Sequence, residues 1–132
     1  MAKAGDCFWI ETDQEKKVGH LFVIVLDPEE FTRNTIIIPI DSYTSDKQDS
    51  TTILNPGDHE FIKHKSFLNY NRARIRTMTS IEQMIKDGKA KIKPAMGSDI
   101  LERVTNGLRK SEHTPQEIIT MYTYYMFNKL KK

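Results

Sequence analysis

The sequence predicts a mainly β fold of the α+β class, a small, strongly bent barrel or sheet with C-terminal helices packed on it. Three observations carry this. Apolar, β-branched runs of strand length fill residues 5–78, segments with helix-start signals fill residues 80–132, and a chain of 132 residues suits one domain, residues 1–132, with a single core.

The strands come first. Cys7-Phe8-Trp9-Ile10 is a short apolar and aromatic run, and beyond the polar loop Thr12 to Lys17 lies Leu21-Phe22-Val23-Ile24-Val25-Leu26, which Asp27-Pro28 ends. Thr35-Ile36-Ile37-Ile38-Pro39-Ile40 has the same character. Pro39 lacks a ladder donor, so it belongs at an edge, a bulge or a strand end. Residues 41–50 have loop composition, Thr51 to Leu54 reads as a short strand stopped by Asn55-Pro56-Gly57, and Ala73 to Met78 alternates small or apolar with basic or polar residues. That alternation gives a half-buried strand with one cationic face.

The helices follow. Ser80 with Gln83 three residues on resembles a capping box for a short helix through Ile81, Met84 and Ile85, which Gly88 ends. Ser98 can cap a second helix whose stripe is Leu101, Val104 and Leu108. Thr114-Pro115-Gln116-Glu117 opens a third, with a capping Thr, Pro at the first helical position and Glu at the third. Its apolar side is Ile118, Met121, Tyr122, Tyr125 and Met126.

Composition narrows the function. No run approaches the roughly 18 apolar residues that span a bilayer, and the N-terminus has no basic patch followed by an apolar stretch, so a cytoplasmic protein without membrane partners is expected. Cys7, the one cysteine, excludes an internal disulfide and argues against structural zinc. The formal charge of +2 hides a gradient: residues 1–60 carry 5 basic and 12 acidic groups, residues 61–110 carry 12 and 4. The basic middle is suited to an anionic partner such as nucleic acid, although solvation of exposed faces alone would give the same pattern.

Chemistry is densest from Gly57 to Ser66, continuing through Tyr70 to Arg72, Arg74 and Arg76. His59 and His64, beside Asp58, Ser66 and cations, offer what metal-free RNA cleavage needs: a base for the 2'-hydroxyl, an acid for the leaving oxygen, and positive charge on the phosphorane. Backbone-bonded turn histidines would have the same spacing. A metal set drawn from Asp58, His59, His64 and Asp41 or Asp49 ranks below acid–base chemistry, because no two-histidine helical spacing is present. No cofactor or metal is expected. His20 stands at the mouth of the second strand, near Trp9, and Tyr122, Tyr124, Tyr125 and Phe127 read most simply as a core stripe with exposed rings.

Taken in order, Gly5-Asp6-Cys7-Phe8-Trp9-Ile10, the pair Gly19-His20 before an apolar strand, and Ile37-Ile38-Pro39-Ile40-Asp41-Ser42 resemble the MazF/PemK family of toxins of toxin–antitoxin modules, over roughly residues 5–78. The resemblance implies an SH3-like barrel of about five to six strands, shared with CcdB. It also implies a metal-independent endoribonuclease for single-stranded RNA, usually a homodimer neutralised by an antitoxin protein. Such enzymes carry Arg-Pro after the Gly-x pair, where this chain has Leu21-Phe22, and a hydroxyl after the proline strand, where Ser42 stands. The nuclease expectation is therefore that His59, His64, His20 and Ser42 serve catalysis while Lys63, Arg72, Arg74, Arg76 and Tyr70 bind RNA. The alternative, favoured by Leu21, is a non-catalytic barrel that binds an acidic peptide or protein. A third is sequence-tolerant nucleic-acid binding through the basic strand.

Overall fold

In a computed structural model, which describes residues 2–13, 18–28 and 33–130, the long apolar runs become β1 (Cys7–Asp13), β2 (Val18–Ile24) and β3 (Asn34–Ser42). They are followed by β4 (Ile53–Leu54), β5 (Ser66–Leu68), a 3-10 turn over Tyr70–Arg72, β6 (Arg74–Thr77), α1 (Met78–Lys86), β7 (Ala90–Lys93), α2 (Ser98–Lys110) and α3 (Gln116–Leu130). Of the loop expected over Thr12 to Lys17, residues 14–17 lie outside the described residues. No helix among the described residues is long and apolar enough to cross a membrane.

The strands pair antiparallel in the order β4-β5-β3-β2-β1-β7, and β6 pairs with β3 beside that path. The α+β class is as expected, but the barrel is not closed: among the described residues β4 and β7 end the sheet without meeting. β5 and β7 are additions to the expected strands. β5 has only three residues, all buried, too few to show a period, and β7 is Ala-Lys-Ile-Lys inside a segment read as wholly helical. As an edge strand, β7 keeps Ile92 73% exposed with its lysines to either side, a pattern that discourages further strand pairing.

Pro39 lies in the middle of a central strand, opposite Phe22 of β2. The position is tolerated because β3 changes neighbours there. Its other edge pairs β6 over Asn34–Ile37 and β5 over Ile40–Ser42, and Pro39 falls in the gap, where its carbonyl accepts the N–H of Asn69 at 2.9 Å. The N–H and C=O of one strand residue point the same way, so the missing donor faces the gap and breaks no ladder bond.

The apolar runs do not alternate with polar residues because both faces of the sheet are covered. On one face Leu21, Val23, Ile36, Ile38, Ile40 and Leu68 pack with Ile100, Val104 and Leu108 of α2 and Ile118, Tyr122 and Tyr125 of α3. On the other, Phe8, Ile24 and Ile37 pack with Met78 and Ile81 of α1. This second, smaller core stops short of the ends of β2 and β3, and leaves a groove there.

The helix starts differ from the expected caps. Thr77, not Ser80, caps α1: its hydroxyl accepts the Ser80 N–H, and Ser80 forms the first turn. Gly97 precedes α2 with no side-chain cap. The Thr114 hydroxyl donates back to the Leu108 carbonyl at 2.8 Å, closing α2 and leaving Pro115 to begin α3 through its carbonyl.

Candidate functional site

A groove of about 420 Å³ opens between α1 and the ends of β2, β3 and β6. Strand alternation builds it. His20 and Phe22 are two apart on β2, Ile37, Pro39 and Asp41 on β3, and Arg74 and Arg76 on β6, so each set faces the same side. The turn over Tyr70–Arg72 adds Arg72, and Ile10, Ile81 and Met84 complete an apolar floor.

The groove has a cationic wall. Arg72, Arg74 and Arg76 are exposed, and among the described residues no carboxylate lies within ion-pair distance of any of them. Backbone carbonyls steer two: Arg74 Nη1 donates to Ala73 O at 2.8 Å and Arg76 Nη1 to Ile75 O at 2.9 Å. Three guanidinium groups on one apolar-floored groove form a site for an anion attached to a flat or apolar body.

Facing them is a histidine beside a carboxylate. Leu21 pairs with Ile40, so the next residues outward, His20 and Asp41, stand across from each other, with His20 Nδ1 2.7 Å from Asp41 Oδ1. That contact is one of ion-pair distance without hydrogen-bond alignment, so the buried Oδ1 has no hydrogen-bond partner, while Oδ2 accepts from Asn69 Nδ2 at 2.8 Å. The rings of His20 and Phe22 pack nearly perpendicular, with centroids 6.4 Å apart. Gly19 lets this end of β2 sit beneath the indole of Trp9: a Cβ there would lie 2.5 Å from Ile10 O and 2.6 Å from Trp9 Cε2.

The remaining expected site residues are elsewhere. His59 is 5% exposed and both its ring nitrogens meet the backbone, Nε2 with Pro94 O at 2.6 Å and Nδ1 accepting from Phe61 N–H at 2.9 Å. It ties the loop before β5 to the end of β7. Ser42 Oγ meets His64 Nε2 at 2.5 Å, both exposed, but strand alternation turns Ser42 to the face opposite Asp41, outside the groove. Lys63 is exposed on the loop carrying His59 and does not line the groove.

Tyr70, expected among the RNA-binding residues, requires a correction. It is completely buried, donates to Val104 O at 2.7 Å and bonds Thr52 Oγ1 at 2.8 Å. Burial pushes its phenol well above the ordinary value, partly offset by the Thr52 bond, and no ring face is open for stacking. Cys7, also buried, has its thiol pushed up to about 12, chiefly by desolvation, and is no nucleophile. Among the described residues no cluster of three or more His, Cys, Asp or Glu side chains is arranged to hold a metal ion.

Asp41 is the groove residue that sequence reasoning undervalued, placing it only in a metal set. Its sequence signal is its position two residues beyond Pro39, on the same face, with His20 opposite once β2 and β3 pair. Compared with known proteins, the sequence matches no family model and no curated protein.

Proposed function

We propose that the groove binds a phosphodiester of single-stranded RNA and cleaves it without metal. The observation that carries this reading is the convergence of His20 with Arg72, Arg74 and Arg76, from three separate segments, in one groove. The arginines take the phosphate oxygens and stabilise the charge of the phosphorane. The Nε2 atom of His20 takes the 2'-hydroxyl proton as that oxygen attacks phosphorus, the bond to the 5'-oxygen breaks, and the departing oxygen is protonated from water. His59 has no free ring nitrogen for either transfer.

On this reading the bent sheet is an elaborated, incompletely closed SH3-like barrel, and the chain is a toxin-like endoribonuclease whose cations have moved from the strand after Gly19 to β6. The partners it implies are RNA, a second copy of the chain and an antitoxin protein. Leu21, where the resembling family carries arginine, is 4% exposed in the core and cannot reach the groove. That observation favours a second reading, a non-catalytic module for an acidic protein partner.

Incubating the purified chain with single-stranded RNA in the presence of a chelator tests the two. Cleavage lost in His20→Ala, and blocked by a 2'-deoxy nucleotide at the cut, supports the nuclease. Intact RNA, with no slowing of growth on expression, overturns it. Capture of a small acidic protein regardless of His20→Ala then favours the binding module.

A further inference from the structure

Asp41 is too well held to be a general counter-charge for the basic groove. None of the three arginines lies within ion-pair distance of it, whereas Oδ2 accepts a hydrogen bond from Asn69 Nδ2 at 2.8 Å and the buried Oδ1 lies 2.7 Å from His20 Nδ1. Its side chain is 17% exposed. Asn69 is fixed in turn by its backbone: its N–H donates to Pro39 O at 2.9 Å, and its carbonyl accepts the N–H of Arg72 at 3.0 Å. The same residue therefore braces β3 and begins the turn that presents Arg72 to the groove.

A neutral imidazole bears one proton on either nitrogen. A carboxylate oxygen 2.7 Å from Nδ1 favours a proton there, because its negative charge attracts an N–H and repels a nitrogen lone pair. That proton assignment leaves a lone pair on Nε2, for which the described residues supply no hydrogen-bond partner. Imidazole free in water prefers the opposite arrangement, with the proton on Nε2, which could not accept a proton from substrate at that atom.

We propose that Asp41 and Asn69 are positioning residues for His20: Asp41 holds the proton on Nδ1 so that Nε2 is the base in the groove, and Asn69 fixes the carboxylate that does so. The inference rests on the reading of the groove as a ribonuclease site for its effect on rate, but its effect on the tautomer is independent of that reading. Asn69 also determines what Asp41→Asn does. With the Asn69 amide donating to position 41, the new side chain turns its carbonyl to Asn69 and its NH₂ to His20, forcing a lone pair onto Nδ1 and the proton onto Nε2.

The test is a long-range proton–nitrogen NMR correlation on the full chain labelled with nitrogen-15, at a pH of about 8 where an imidazole is neutral, with His20→Gln assigning the signal. The wild type is expected to show a protonated Nδ1 and a bare Nε2, Asp41→Asn the reverse, and Asn69→Ala a mixture. RNA cleavage by Asp41→Asn is expected to lose kcat by about 100-fold or more, the scale of general base catalysis, with KM little changed. A proton on Nε2 in the wild type overturns the proposal, as does an unchanged tautomer in Asp41→Asn. Should Asp41→Asn fail to fold, the wild-type tautomer and that of Asn69→Ala decide. The expected tautomers without any RNA cleavage would leave the positioning intact and overturn the ribonuclease reading instead.

Discussion

Gly107 of α2 lies directly against the phenolic end of Tyr70: a Cβ at position 107 would fall on the Tyr70 hydroxyl and on Thr52 Oγ1, and 3.0 Å from Tyr70 Cζ. The glycine is what lets a tyrosine fill the space beneath α2 and donate to Val104 O.

In an open helix Gly→Ala is worth about 1 kcal/mol of added stability. Here the sign reverses. Gly107→Ala is expected to destabilise by about 1–3 kcal/mol through overpacking, because Thr52 and Tyr70 are both buried and hydrogen-bonded. Tyr70→Phe, which removes the hydroxyl, is expected to relieve part of that cost in the double variant. Urea denaturation of the two single variants and the pair measures this; an additive pair shows that the two residues are not coupled.

His59→Ala is expected to cost about 1–3 kcal/mol, because Pro94 O and the Phe61 N–H lose their partners in a buried place. At temperatures where the variant remains folded, cleavage of RNA is expected to stay within a few-fold of wild type. A folded His59→Ala protein with a 100-fold loss of activity would return His59 to the site.

Asp49 anchors the polar loop between β3 and β4 to the junction of α2 and α3, its Oδ2 accepting from Ser111 Oγ at 2.6 Å. Burial pushes its carboxyl up, but the hydrogen bonds from Ser111 and Thr51 and the nearby His113 outweigh this and hold it below the ordinary value. The ionised form is the one held in the fold. The stabilisation is therefore complete above the unfolded-state carboxylate range and is lost as pH falls through the lower folded value. Thermal melts from about pH 6 to about pH 2.5 are expected to show a shallower acid slope for Asp49→Ala than for wild type. Parallel slopes would remove Asp49 from the acid response.

The three arginines are expected to contact phosphates. Each contact with single-stranded nucleic acid contributes roughly 0.7 to the slope of log affinity against log salt. Replacing Arg74 and Arg76 together by alanine is expected to lower that slope by roughly 1.4 in fluorescence titrations with a non-cleavable RNA. Lys63→Ala, outside the groove, is expected to leave it unchanged. An unaltered slope in the arginine pair would put RNA on another surface.

The central strands were legible because β2 and β3 carry long apolar, β-branched runs, but that both of their faces are covered emerges only from the packing. The basic alternation of Arg74-Ile75-Arg76 was equally readable, since a period of two fixes which side chains share a face. The caps were less so. Thr77 and Ser80 are both good capping residues three apart, and only the pairing of β6 with β3 up to Thr77 decides where the strand stops and α1 begins. β7 was hidden because an edge strand of Ala-Lys-Ile-Lys has no signature apart from the neighbour it pairs with.

Residue type and spacing by themselves determined the long apolar strands, the three helices after them and the cationic face of β6. They could not separate the four histidines, which differ in surroundings rather than in type. The pairing register of β2 with β3 places His20 against Asp41, the turn after Asn69 brings Arg72 to them, and the packing of the loop before β5 consumes both nitrogens of His59. Apart from the local bond of His59 Nδ1 with the Phe61 N–H, the contacts of His20 with Asp41, Asp41 with Asn69 and His59 with Pro94 span 21 to 35 residues of sequence, and they follow from the assembly of the whole sheet rather than from any local preference.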